Sequence, residues 1–410
     1  MNKHDDDLST RLIHHPYKPP AGFEAVAPGV HKASTVMFPD VEALRTYDWK
    51  DKSGYTYGLH GTPTTFTLEE RIATLEGGEH CMLAPSGLSV ISLVDMALLR
   101  QGDEVLLPDN AYGPGKVFAE VELAAWGITH RFYNAMDPDD LARRIGPATR
   151  LVWLEAAGSI TLEYPDIPAL VERVRQANAQ RSGDRPVVTA LDNTWGAGIA
   201  FNAFDQGVDV SVQALTKYPS GGADVLMGSV VTRDLALHRK ILLTRMRLGL
   251  GVGANDAELV LRGLPSVALR YHAQDATTRA LATWAQQQPG VARVLHPALP
   301  SSPGHDTWKR DATAAACLFS VVFDPAIAQA RIDAFCNGLR LFRLGWSWAG
   351  PTSLCAPYHL ASIRTQGWQD AGGLVRFAVG LEAVDDLRAD LAQAWTALHC
   401  KPDPFPSPQT

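Results

Sequence analysis

Four short stretches carry residue types that could do chemistry together. In Ser211-Val-Gln-Ala-Leu-Thr-Lys-Tyr218 a lysine closes an apolar run, just before Pro-Ser-Gly-Gly. An ammonium at the end of a buried strand is costly to desolvate, and an ordinary lysine sits on a solvated face. A lysine condensed with an aldehyde escapes much of that cost, and Thr216 beside Lys217 offers a hydroxyl to a phosphate. Asp192 follows the apolar run 187–191. It reads either as a turn or cap residue, or as a carboxylate that keeps a pyridinium nitrogen protonated so that the ring can accept electron density from a carbanion. Ala84-Pro-Ser-Gly-Leu88 opens an apolar helix over 89–99. Gly87 there lets backbone N–H groups approach an anion, although many helices begin with Ser-Gly for capping alone. In Asp109-Asn-Ala-Tyr-Gly113, Tyr112 comes just after a strand, where its ring either stacks on a flat cofactor or packs in a loop.

The elements that would position these residues follow from the hydrophobic pattern. Apolar runs at 104–107, 151–155, 187–191 and 208–215 alternate with helical stretches such as 167–179. That alternation predicts a mostly parallel sheet covered on both faces, with ligands at the carboxyl ends of the strands. All four stretches lie at such ends. Upstream, Thr67 with Glu70 reads as a capping box, with Leu68, Ile72 and Leu75 as a helical face and Gly77-Gly78 as the stop. The first 62 residues, rich in Pro, Gly and His, read as an extended arm. A boundary falls near 263–265. Beyond it, a helix over 266–288, strands at 318–323 and 373–379 and a last helix at 385–399 predict a smaller C-terminal α/β domain. The expected division is an arm at 1–62, a large domain at 63–263 and a small domain at 264–410.

The bulk properties narrow the partners. With 410 residues the chain exceeds one ordinary core, and 46% hydrophobic with 20% charged residues is ordinary for a soluble protein. A net charge of -7 and the lack of a basic stripe argue against nucleic acid. The N-terminus MNKHDDDLSTRLIHH has no apolar run, and no stretch is long enough for a membrane span. The five cysteines, Cys81, Cys317, Cys336, Cys355 and Cys400, show no metal-binding spacing. They read as buried free thiols in a reducing cytoplasm, and no metal is expected.

Taken in order, the anion site, aromatic ring, carboxylate and lysine resemble those of the pyridoxal-phosphate-dependent enzymes of cysteine and methionine metabolism, the trans-sulfuration enzymes, and above all the bacterial cystathionine β-lyases. The resemblance runs from about Val30 to the last helix. It is carried by Gly58-Leu-His-Gly-Thr62, Leu75-Glu-Gly-Gly78, Glu155-Ala-Ala-Gly-Ser-Ile160, Asp192-Asn-Thr-Trp195, Thr216-Lys-Tyr218, His296-Pro-Ala-Leu-Pro300 and Gly380-Leu-Glu-Ala-Val-Asp-Asp386. It implies an α/β fold of fold type I, aspartate-aminotransferase-like, with pyridoxal 5'-phosphate as cofactor. Lys217 would carry the cofactor and shuttle protons, and Asp192 would pair with the ring nitrogen. Tyr112 would stack on the ring and help deprotonate the incoming amine. Gly87, Leu88 and Thr216 would hold the phosphate, joined by Tyr57 from a neighbouring subunit, which implies a homotetramer built from dimers. Arg376, in Leu-Val-Arg-Phe, would grip the carboxylate of a small amino-acid substrate with its bidentate fork. Ser347 and Trp348 would line the same pocket.

The pattern is not kept everywhere. The family usually has an arginine where this chain has Leu59, and a second where it has His60, which contacts the far end of the substrate. Val117 replaces an acidic residue. The resemblance implies β-elimination of cystathionine or related cysteine S-conjugates to pyruvate, ammonia and a thiol, the aromatic pair Trp346 and Trp348 favouring β over γ chemistry. Gamma-elimination or replacement, and racemisation as a side activity, are the alternatives. A non-catalytic cofactor sensor is a different class, usually fused to a DNA-binding helical domain that this sequence does not provide.

Overall fold

The computed structural model describes residues 7–17, 21–23, 25–50, 52, 54–183, 185–360, 363–365, 368 and 372–399. Seven strands form the larger sheet: β1 (His80–Ala84), β2 (Glu104–Pro108), β3 (Thr129–Tyr133), β4 (Thr149–Glu155), β5 (Val188–Asp192), β6 (Val210–Ala214) and β7 (Gly228–Thr232), in the order β1-β7-β6-β5-β4-β2-β3. The pairs from β6 through β3 are parallel, and only β7 runs antiparallel to its neighbours β6 and β1. The apolar runs are continuous because helices cover both faces. Within β4, Val152 and Leu154 join the core that holds Leu68, Ile72 and Tyr218, whereas Leu151 and Trp153 join that of Val90, Val94 and Val105.

This topology builds the edge that matters. Glu155 pairs in register with Asp192, and Asp192 with Val212, so β4, β5 and β6 end side by side. The helix Gly87–Leu98 starts at the same edge. A Cβ on Gly87 would lie 2.6 Å from the Cβ of Ala214, so the absence of a side chain lets the helix start touch the end of β6.

Two sequence expectations are corrected. The first long helix begins not at Thr67 but at Pro63, capped by a reciprocal Thr62–Thr65 pair, and spans Pro63–Glu76. Proline fixes φ and has no N–H to lose, so Pro63 sets the start; the Thr67 hydroxyl instead bonds the Pro63 carbonyl inside the helix. Nor is the arm extended throughout. It contains the helices Leu8–Ile13 and Val41–Thr46. Leu12 of the first is buried in the chain's own core, and the nearby His15 ring lies 3.2 Å from the Thr74 hydroxyl. Farther along, Met37, Val41 and Leu44 are exposed.

After a long helix, Val267–Ala285, comes a second sheet: β8 (Val291–Leu295), β9 (Leu318–Phe323), β10 (Arg343–Leu344), β11 (Leu354–Tyr358) and β12 (Leu374–Ala378), ordered β10-β11-β12-β9-β8. Phe319, Phe323, Phe335, Phe377 and Trp395 form its core. Cys81, Cys317, Cys336 and Cys355 are buried free thiols, and Cys400 lies outside the described residues. Among the described residues no helix is long and apolar enough to cross a membrane.

One carboxylate fixes the chain leading toward the site. Asp390, on the helix Val384–His399, accepts N–H groups from Arg340 (2.9 Å), Leu341 (2.8 Å) and Phe342 (3.2 Å), just before β10. Asp390→Ala orphans three backbone donors, and we expect it to lower the unfolding free energy by about 3 kcal/mol. A drop in the urea midpoint at unchanged slope checks this; no drop shows that water replaces the carboxylate.

Candidate active site

A cavity of about 560 Å³ lies at the shared carboxyl edge of β4, β5 and β6, roofed by residues of the C-terminal part. Its lining includes Gly87, Leu88, Tyr112, Asp192, Thr216 and Lys217 from the large sheet and its helices. Trp346, Trp348, Tyr358 and Arg376 close it from the other side.

Lys217 stands in the turn after β6. Its Nζ donates to the Ser347 hydroxyl at 2.8 Å and lies 5.2 Å from the centre of the Trp348 ring. Burial pulls its pKa down to about 8, and the Arg376 guanidinium pushes the same way, against weaker opposing pulls from Cys317 and Asp192. The amine is therefore close to losing its proton at physiological pH. Ser347 belongs to the C-terminal part, so this hydrogen bond crosses between the two sheets.

Asp192 ends β5. Its Oδ1 accepts the Thr194 N–H (3.0 Å) and the Thr194 hydroxyl (2.5 Å), and the same hydroxyl takes the Ala214 N–H at 2.9 Å. Thr194 thus ties the carboxylate to the end of β6. Oδ2 takes no hydrogen bond from the described residues, and burial raises the Asp192 pKa. A half-buried carboxylate with a free oxygen on a cavity wall fits a cationic N–H donor.

At the other end of the cavity, Ser86 caps the helix Gly87–Leu98 through a reciprocal pair with Ser89. The N–H groups of Gly87 and Leu88, at the first two helical positions, have no intrahelical acceptor. The nearby Thr216 hydroxyl reaches the Met227 carbonyl only at 3.4 Å. These groups can hold an anion.

Arg376, the third residue of β12, is buried. Its Nη1 donates to the Ser159 carbonyl and Nη2 to the Trp346 carbonyl, both at 3.1 Å, and its Cζ lies 5.3 Å from the centre of the Tyr358 ring. It makes no ion pair with a described carboxylate, and burial lowers its pKa. An unpaired buried guanidinium is a ready carboxylate receptor.

Tyr112 lies on the cavity wall with its backbone N–H on the Glu155 carboxylate at 2.8 Å. Burial raises its phenol pKa, and the Asp192 and Glu155 carboxylates raise it further. That direction keeps the phenol protonated.

Tyr57 and His60 are not brought to this cavity. Tyr57 is 44% exposed and bridges Thr35. His60 stacks on Trp49 at 4.7 Å and its Nδ1 lies 2.6 Å from the Thr56 hydroxyl. Burial, then the Arg245 charge, lower its pKa, so it is not a substitute cation at neutral pH. The Leu59 carbonyl accepts Arg245 at 3.2 Å.

Glu155, Thr194 and Tyr358 are among the lining residues to which the sequence assigned no role. Glu155 ends an apolar strand just as Asp192 does, and that signal was present. Thr194 sits two residues past Asp192, the spacing of a local side-chain cap. Tyr358 carries no sequence signal, because the fold of the distant second sheet brings it to Arg376.

The family model for Cys/Met metabolism PLP-dependent enzymes matches residues 9–396. Cystathionine beta-lyase MetC of Escherichia coli is 36% identical over 392 residues, 94% of this chain and 98% of its own. Cystathionine beta-lyase of Bordetella avium is 39% identical over 401 residues, 96% of this chain and 97% of its own. L-alanine/L-glutamate racemase of Wolbachia pipientis is 30% identical over 385 residues, 91% and 93% of the two chains. The crystal structure of metB from Corynebacterium glutamicum matches with a TM-score of 0.87 at 26% identity, covering 97% of this chain and all of that one. The architecture is fold type I, and the chain belongs to the Cys/Met metabolism family of pyridoxal-phosphate-dependent enzymes.

Proposed function

We propose that this enzyme is a carbon–sulfur lyase that eliminates the β-substituent of cystathionine or related cysteine S-conjugates, giving pyruvate, ammonia and a thiol. The observation that carries the reading is the convergence of Lys217, Asp192 and Arg376 on one cavity, with neither Asp192 nor Arg376 in an ion pair among the described residues. Relatives named cystathionine beta-lyase, alike over nearly the whole chain, support the reaction type.

The cavity fits pyridoxal phosphate at three points. The free oxygen of Asp192 suits a ring N–H, the N–H groups of Gly87 and Leu88 with the Thr216 hydroxyl suit a phosphate, and the low-pKa Lys217 suits an aldehyde. When bound, the cofactor supplies an electron-withdrawing ring that stabilises negative charge at the substrate α-carbon. Asp192 holds the ring-nitrogen proton, and Tyr112 covers the ring face. Arg376 takes the substrate carboxylate with two parallel hydrogen bonds, exchanging its two carbonyl partners for an anion. Lys217, oriented by Ser347, removes the α-proton as a neutral amine and delivers a proton to the departing sulfur. The sulfur leaves with the Cβ–S electron pair and that proton as the thiol, and the released 2-aminoacrylate takes a proton from water at its β-carbon and hydrolyses to pyruvate and ammonia.

The reading extends to assembly. We infer a homotetramer in the cytoplasm; the exposure of Tyr57, and of Met37, Val41 and Leu44 earlier in the arm, supports a contact that carries Tyr57 to the phosphate of a neighbour's cofactor. A fully active monomer in equilibrium sedimentation overturns that role.

Incubation with cystathionine yields pyruvate; 2-oxobutyrate in its place shows γ-elimination. Lys217→Ala abolishes both turnover and the visible absorbance of bound cofactor, while Arg376→Lys raises KM about 10- to 100-fold through loss of the bidentate grip. In the cofactor-free protein the neutral amine of Lys217 is the reactive form and predominates above its pKa. Modification by an amine reagent, followed residue by residue in a mass spectrometer, therefore rises with a midpoint near pH 8 at Lys217, against about 10.4 for an ordinary lysine. A midpoint above 10 at Lys217 means that burial does not tune it.

A further inference from the structure

On the face of the large sheet opposite to Asp192 lies a fully buried carboxyl. By alternation along the strands, Asp192 shares the side of Ala190, Val210 and Val212, which belong to one core with Val90 and Val94 of the helix Gly87–Leu98. Ser211 and Gln213 share the other side with Leu191, which belongs to one core with Leu68, Ile72 and Leu75 of the helix Pro63–Glu76. Glu76 is the last residue of that helix, which Gly77 stops in the left-handed region at φ 71°. At 1% exposure, Glu76 accepts the Asn193 side-chain amide and the Ser211 hydroxyl on Oε2, both at 2.9 Å, and the Gln213 amide on Oε1. Three neutral donors offset the loss of water around a buried carboxyl.

These donors come from both strands that carry the site. Asn193 directly follows Asp192, and its backbone N–H donates to the Val212 carbonyl at 2.8 Å. Ser211 and Gln213 flank Val212, which is the register partner of Asp192. On the cavity side the same two strands are joined by Thr194, between the Asp192 carboxylate and the Ala214 N–H. The ends of β5 and β6 are thus clamped twice, by Thr194 in front and by Glu76 behind. The two carboxyls also sense each other. Burial raises the Glu76 pKa to about 7 against its bonds to Asn193 and Ser211, and the Asp192 charge adds to the rise.

We infer that Glu76 is a positioning residue of this enzyme: by holding Asn193 against β6 from behind, it fixes the direction in which the Asp192 carboxylate meets the ring nitrogen of the cofactor. The inference rests on the reading that pairs Asp192 with that nitrogen. Glu76 itself does not line the cavity and acts through the Asp192–Asn193 peptide. The role requires an acceptor for Asn193, not a charge. A glutamine therefore serves nearly as well. Its carbonyl accepts Asn193 and Ser211, and its amide donates to Gln213 Oε1, which has no partner among the described residues, once the Gln213 amide turns over.

The test measures the Kd for pyridoxal phosphate, read from the visible cofactor band as cofactor is returned to the full-length enzyme, with the thermal midpoint recorded alongside. Asn193→Ala removes the tether and leaves Glu76 its other two donors, so it reports even where Glu76→Ala does not fold. Each of these variants should raise Kd about ten-fold, the scale of one lost hydrogen bond to a charged group, and Glu76→Gln by no more than about two-fold. In an Asp192→Asn background the ion pair with the ring nitrogen is already gone, and both ten-fold losses should shrink to about two-fold or less, while any fall in the thermal midpoint persists. A loss of the same size in both backgrounds marks a general weakening of the fold and overturns the inference. So does an unchanged Kd in Asn193→Ala, or a loss in Glu76→Gln as large as in Glu76→Ala. An Asp192→Asn enzyme that binds the cofactor as tightly as the wild type removes the ring-nitrogen reading of Asp192, and the inference with it.

Discussion

The site depends on holding two opposite charges out of water without letting them meet. Arg376 in the middle of β12 is buried and Asp192 at the end of β5 is half-buried, and neither has an ionic partner among the described residues. Desolvation of this kind costs several kcal/mol per ion when nothing compensates it. A chain that keeps such charges does so for ligands that supply the missing counter-charges. Lys217 sits between these influences, and its low proton affinity is set by burial first and the Arg376 field second.

The fold meets this demand by dividing it between two sheets. The parallel strands β4, β5 and β6 end together, so Glu155, Asp192 and the turn to Lys217 are placed by register alone. The second sheet, anchored by Phe319, Phe377 and Trp395, presents Arg376 and Tyr358 from the opposite side. Ser347 and Thr194 are small hydroxyl residues that join the pieces: one crosses from the second sheet to the lysine, the other fixes the aspartate to β6. Placement by rigid elements with hydroxyl braces is what a reacting amine needs.

Much of this was legible in the sequence. The strands at β2, β4, β5 and β6 and the anion-binding helix start announce themselves through apolar runs and Ser-Gly chemistry, and the buried lysine betrays itself by its desolvation cost. β7 was not read: it is a fully buried strand, Gly-Ser-Val-Val-Thr, whose serine and threonine weaken the apolar signal, and its antiparallel direction leaves no local mark. The helix start at Pro63 was misplaced because Thr67-x-x-Glu70 mimics a cap, while proline overrides it. Tyr358 escaped because its relation to Arg376 arises only from pairing of β11 with β12, far from the lysine in sequence. The resemblance to a known family brought Tyr57 and His60 forward, yet neither lies in this chain's own cavity.

The hydrogen bond from Lys217 to Ser347 makes the lysine a gauge. Its donor belongs to the first half of the molecule and its acceptor to the second, as does the Arg376 charge that helps keep the amine neutral. Any tilt that lifts the C-terminal layers from the large sheet breaks the contact, weakens that field and wets the amine. The last two changes raise its affinity for hydrogen ions. An opening of that kind would take up a proton and a closing would release one, so that shutting out solvent would also arm the base.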